Sequence, residues 1–222
     1  MPLAEFTALL ALATAMSFTP GPNTTLSTAI AANRGLRGAM RFVCAVPTGW
    51  AGLFVLCALG VGALVMAVPV LRWGILAVGV GYMLWLAWRL AGSRTLSQAD
   101  ERRLQVSFAE GVGLQFLNIK AWMLALSIVA GWVAGRPDWV ARLLMVLPVM
   151  LFFGFASNFT YALIGSLLRG WLAQGQRLLW FNRVMAAALV ATSAWMVWSA
   201  LAAPSTAPEN AAAGARPIDA QG

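Results

Sequence analysis

Two short segments of this chain hold most of the polar side chains that interrupt its apolar stretches. The first is Thr19-Pro20-Gly21-Pro22-Asn23, inside an apolar run over 3–32; the second is Gln115-Phe116-Leu117-Asn118-Ile119-Lys120, early in a run over 108–134. Pro20 and Pro22 remove two backbone donors and Gly21 permits an unusual turn. In hydrocarbon the carbonyls freed by such a break need partners, so it is expected to line a cavity. The plainer alternative is a kink, but a kink needs one proline, not two around a glycine. Thr19 is placed to cap a helix restarting at Pro20, whose N-terminus would carry partial positive charge.

Lys120 is the one lysine; the other fourteen cations are arginines. Ten helical residues separate it from Glu110, or about 15 Å, half of a ~30 Å hydrocarbon layer. A lysine at that depth costs about 2.5–3.5 kcal/mol unless solvated or paired. Snorkelling is the alternative, but a stem of about 6 Å falls short of water from there. Of the seven acids, Glu5 and Glu110 lie at run edges and the rest in loops or the tail. A substrate needing a buried anion is therefore disfavoured and a small zwitterion fits. Its carboxylate would meet Lys120 and the helix end after Pro20, and its ammonium the freed carbonyls, Asn23 and Asn118. Asn158, beside Ser157 in a later run, is a further candidate for the same cavity.

The chain has no histidine, which removes the usual zinc sites, histidine bases and Ser-His dyads. No catalytic residue, metal or cofactor is assigned. A Ser-Lys hydrolase using Lys120 as base is a distant alternative, since no serine lies three or four residues away; a channel or lipid-translocating protein is another. Cys44 and Cys57, about 20 Å apart on a helix, are too distant for a disulfide.

The elements that must position these residues follow from composition. Of 222 residues 61% are hydrophobic and 10% charged, against about 45–50% and about 25% in soluble domains. The solvent must be lipid. Six apolar runs, over 3–32, 42–68, 70–88, 108–134, 143–168 and 184–203, each approach the ~20 residues of a membrane helix. Their continuity excludes the alternating pattern of a β-barrel. No basic residue precedes the first run, so it reads as a retained span and not a cleaved signal.

The fold expected is an all-α integral membrane protein of about six helices, as two three-helix halves over 1–92 and 108–203, with the first and fourth spans broken. A cytoplasmic linker over 93–107 joins the halves, and 204–222 reads as a disordered tail. Three spans per half is the arithmetic of an inverted repeat. Arg34, Arg37, Arg41, Arg89, Arg94, Arg102, Arg103, Arg169, Arg177 and Arg183 fall in loops on one side, against four arginines on the other. That asymmetry marks the cytoplasmic face of an inner membrane and places both termini in the periplasm. It also explains the net charge of +8 without nucleic acid; the partners expected are membrane lipid and a small-molecule substrate. Oligomeric state stays open, a homo-oligomer included. Eight tryptophans near run ends suit an aromatic belt, and Gly131-xxx-Gly135 spells a close-packing motif.

Thr19–Asn23 in a first span, paired with Asn118-x-Lys120 in a fourth, resembles the LysE/RhtB family of amino-acid exporters over residues 3–203. Gln115–Lys120, with Gly175-Gln176-Arg177 and Asn182, is most similar to its cysteine/O-acetylserine branch. Many members have proline where this chain has Ile119. The resemblance implies proton-motive-force-driven efflux of neutral amino acids or related metabolites.

Overall fold

The computed structural model describes residues 1–93 and 105–202, and all regular structure among them is helical. Most of the expected linker, and the tail over 204–222, lie outside the described residues. The helices are α1 (Leu3–Phe18), α2 (Pro22–Ala58), α3 (Val61–Ala67), α4 (Pro69–Ala91), α5 (Phe108–Leu117), α6 (Ile119–Ile128), α7 (Trp139–Leu172) and α8 (Arg177–Ala202), with a π-helical turn at Val129–Val133. By length and composition α2, α4, α7 and α8 can cross a membrane, and α5 with α6, bent by 69°, can form a fifth span.

The first expected span exists as two pieces. Along α7, Arg142 pairs with Glu5, Tyr161 donates to the Phe18 carbonyl, Asn158 accepts from Ser27, and Leu172 clusters with Ala32. Thus α1 and the start of α2 run end to end beside α7, in the same direction. Further on, Pro47 lies by Gly154, while Trp50 and Cys57 share a cluster with Met150 and Val146. The second part of α2 therefore runs back the other way. The reversal sits at Gly35, at φ 73° and ψ 170°, a backbone region open to glycine and strained for other residues. No loop over 33–41 separates the first two spans, as the apolar runs suggested; a single left-handed glycine does that work.

The second expected run, 42–68, is also interrupted. Gly60, at φ 87°, starts the short α3, and Pro69 then opens α4 at a first-turn position, where its missing N–H costs nothing. α8 lies antiparallel to α4: Arg72 donates to the Ala200 carbonyl at one end and Asn182 to the Ser93 carbonyl at the other.

Close packing uses glycines other than those expected. Added Cβ atoms at Gly131 and Gly135 would meet nothing within 4 Å, and Gly135 serves a turn at φ 70°. At Gly49 a Cβ would sit 2.6 Å from the Val112 carbonyl oxygen, and at Gly111 2.7 Å from Ala45 Cβ. Gly79 packs onto the Leu117 carbonyl and Gly165 onto that of Thr28. These contacts hold α5 against α2 and α4, and α7 against α2, on either side of the two breaks.

Two polar clusters mark opposite ends of the bundle. At one end Arg142, 7% exposed, binds Glu5 at 2.7 Å and Asp138 at 2.9 Å, with Arg136 3.7 Å from Glu5. The Arg142 hydrogen bond holds the Asp138 carboxyl below the usual carboxylate range. At the other, Asn33, Asn182 and Ser93 form a buried knot, with Asn33 and Asn182 exchanging bonds of 2.8 and 3.1 Å. Arg34 and Arg183 adjoin Asn33 and Asn182 in sequence, Arg89 and Arg177 lie close by along α4 and α8, and Arg169 approaches Gly35. Both cysteines are free thiols.

Candidate functional site

The first break follows from its two prolines. A residue before proline is pushed out of the helical region, and both such residues obey: Thr19 has ψ 126° and Gly21 is fully extended at φ −166°, ψ −173°. The helix cannot resume until Pro22, one turn position where proline fits. This corrects the expectation that Thr19 caps a helix restarting at Pro20. Thr19 instead ends α1, its N–H and hydroxyl both donating to the Ala15 carbonyl. Gly21 is the cap of α2, and its N–H donates to the Thr24 hydroxyl at 2.9 Å. With Pro22 first in the helix, the N–H groups of Asn23 and Thr24 belong to the opening turn, whose donors have no intrahelical partner.

The second break forms without proline. Asn118, at φ −94° and ψ 99°, leaves the helix and caps α6 with its own side chain, accepting from the Lys120 N–H at 3.1 Å. Its carbonyl accepts from Ala121 at 2.8 Å. The Phe116 carbonyl freed by the break accepts from the Trp122 indole at 2.8 Å. Asparagine's capacity to cap supplies what Ile119 does not.

The two breaks meet. A methyl placed on Gly21 would lie 3.5 Å from Lys120 Nζ, so the ammonium sits at the opening turn of α2. Beside it the amides of Asn23 and Gln115 exchange two hydrogen bonds, of 2.9 and 3.2 Å, across 92 residues of sequence. Asn158 accepts from Ser27 at 2.9 Å and donates to the Gly154 carbonyl at 2.8 Å. These amides hold the helices around the breaks, and among the described residues Lys120 forms no ion pair.

A cavity opens between the breaks. It has about 90 Å³ open to the centres of water molecules, several times the ~10–15 Å³ needed for one. Of the nine candidate residues, Thr19, Gly21, Pro22, Asn23, Gln115, Asn118, Lys120 and Asn158 line it. Pro20 lines an adjoining surface groove with Ala191, Thr192 and Trp195 of α8; Thr19, Gly21 and Lys120 border both spaces. No carboxylate lines either. Ser157 joins Asn158 in the wall, as do Met16, Trp50 and Met150. Trp50 carried no sequence signal, since an indole in an apolar run reads as core until the fold turns it towards a cavity.

Residues 14–199 match the family described as LysE type translocator. The chain belongs to the LysE type translocator family. Its matched region contains both breaks and every candidate residue. It is 32% identical over 158 residues to the cysteine/O-acetylserine efflux protein of Salmonella choleraesuis (strain SC-B67), covering 69% of this chain and 78% of that one. The protein of the same name in Klebsiella pneumoniae is 30% identical over 182 residues, or 78% and 87% of the two chains. That of Escherichia coli (strain K12) is 30% identical over 183 residues, or 81% and 89%. No solved structure matches this LysE type translocator significantly. Its apolar helices and its family make it a multi-pass membrane translocator.

Proposed function

We propose that this translocator exports small neutral amino acids or related metabolites, of the cysteine and O-acetylserine kind, across the bacterial inner membrane at the expense of the proton motive force. One observation carries the reading: an ammonium and a helix N-terminus converge on a cavity that no carboxylate lines. Lys120 and the opening turn of α2 would hold the substrate carboxylate. The carbonyls at the end of α1, beside Met16 and Ser17, would take its ammonium. A cationic side chain would find no counter-charge there. The names of the relatives support a neutral amino acid.

The test is efflux from proteoliposomes loaded with radiolabelled O-acetylserine or lysine under an imposed pH gradient. The expected result is saturable, gradient-dependent efflux of O-acetylserine and none of lysine. Non-saturable flux would mean a channel, and lysine efflux at equal rate would remove the charge argument.

We further propose six spans as two inverted halves, α1 with the start of α2 being the first span and α5 with α6 the fourth, and both termini in the periplasm. The gathering of arginines around the Asn33–Asn182 knot supports this orientation. Alkaline phosphatase joined after Ala202 should be active; an inactive fusion beside a fluorescent cytoplasmic reporter would invert the topology.

A further inference from the structure

We infer that the arginine-rich end of the bundle carries a binding surface for anionic phospholipid headgroups, built from three arginine–tryptophan pairs on α4, α7 and α8. The guanidinium of Arg89 lies 4.3 Å from the Trp85 ring centroid, that of Arg177 4.7 Å from Trp171, and that of Arg183 5.4 Å from Trp180. The hydrogen bond from Asn182 to the Ser93 carbonyl brings the start of α8 against the end of α4, so the three pairs share one end of the molecule. The fourth such pair, Arg72 with Trp73, stands at the opposite end of α4.

Three properties point to a lipid phosphate. The rings face outward, with Trp85 41%, Trp171 55% and Trp180 60% exposed, and tryptophan is favoured at headgroup depth. A guanidinium held flat over a ring keeps its edge donors for an acceptor, and its fork matches two phosphate oxygens. For Arg177 the plane is held further by a 2.8 Å bond to Gln174 Oε1. Finally, among the described residues Arg89, Arg177 and Arg183 form no ion pair, the three ion pairs lying at the Glu5 end. An anionic headgroup is a ready counter-charge for exposed cations of this kind.

Arg37 and Arg41 provide the internal control. Both are exposed on the same end and neither is paired with a ring among the described residues. The experiment titrates short-chain phosphatidylglycerol or phosphatidylcholine into the detergent-purified full chain and follows its Tm. Wild type and R37Q/R41Q should gain stability with phosphatidylglycerol and not with phosphatidylcholine. R177Q/R183Q, which removes the same charge as R37Q/R41Q, should need at least about tenfold more phosphatidylglycerol than that control, since a ring-held guanidinium presents its fork to two phosphate oxygens. W171L/W180L, with every charge kept, should also respond more weakly. Equal loss in the two arginine doubles would mean diffuse attraction and overturn the site. So would an unchanged response in R177Q/R183Q or W171L/W180L, or inorganic phosphate reproducing the effect of the lipid.

Discussion

Lys120→Ala should abolish export while leaving the protein in the membrane at normal level. Lys120 is the only ammonium facing the cavity, and no carboxylate there depends on it, so its removal leaves no buried charge unpaired. The loss falls on the substrate. Removing one partner of a desolvated charge pair costs about 2–5 kcal/mol, and 1.4 kcal/mol is tenfold, so efflux should drop about 30-fold or more. Lys120→Met, which keeps most of the stem and removes the charge, should match alanine and exclude a packing effect. Lys120→Arg divides two versions of the site. Arginine keeps the charge but cannot release a proton. If Lys120 only anchors the carboxylate, the arginine variant retains part of its efflux. If it also carries the coupled proton, gradient-driven efflux is lost while counterflow exchange persists. Wild-type efflux from the alanine variant would make the lysine structural.

Replacing Pro20, Gly21 and Pro22 together with alanine should abolish export as well, for a geometric reason. Without the prolines, residues 3–34 can form one helix, and the opening N–H groups of α2 then bond to carbonyls of α1. The positive helix end facing Lys120 disappears. Length changes too: extended residues such as Thr19 and Gly21 advance about 3.3 Å each, against about 1.5 Å in a helix, so closing the break shortens the path by roughly 4 Å. Its ends are tied to fixed points, Glu5 to Arg142 and Asn33 to Asn182, and both ties cannot survive the shortening. The triple variant should therefore insert, lose efflux and melt earlier. Gly21→Ala alone should be mild. Its φ of −166° suits any residue, and its methyl would meet Lys120 Nζ at an ordinary 3.5 Å. Efflux from the triple variant at the wild-type rate would reduce the break to an incidental kink.

Composition alone determined the solvent, because a chain so poor in charge cannot keep its apolar surface from water, and the continuity of the apolar runs determined the helical class. Local sequence determined the breaks as well. Proline restricts its predecessor whatever surrounds it, so Thr19 and Gly21 had to be extended. Sequence also singled out Lys120, a lone lysine inside an apolar run. What the sequence left open is what depends on neighbours distant in the chain. That Thr19 closes α1 and does not open α2 is a choice between two local caps, decided where Pro22 could begin a helix. The second break, with no proline to force it, rests on Asn118 capping α6 and on the Trp122 indole reaching the Phe116 carbonyl. Gly131 and Gly135 spell a packing motif but meet nothing, while Gly49, Gly79, Gly111 and Gly165 touch facing backbone or side chains, because a glycine packs only where another helix arrives. Most of all, the Asn23–Gln115 amide pair and the approach of Lys120 to Gly21 join residues some hundred positions apart. No short-range rule relates them; the cavity exists only once α7 has drawn α1 and α2 into line beside it and the two breaks face each other.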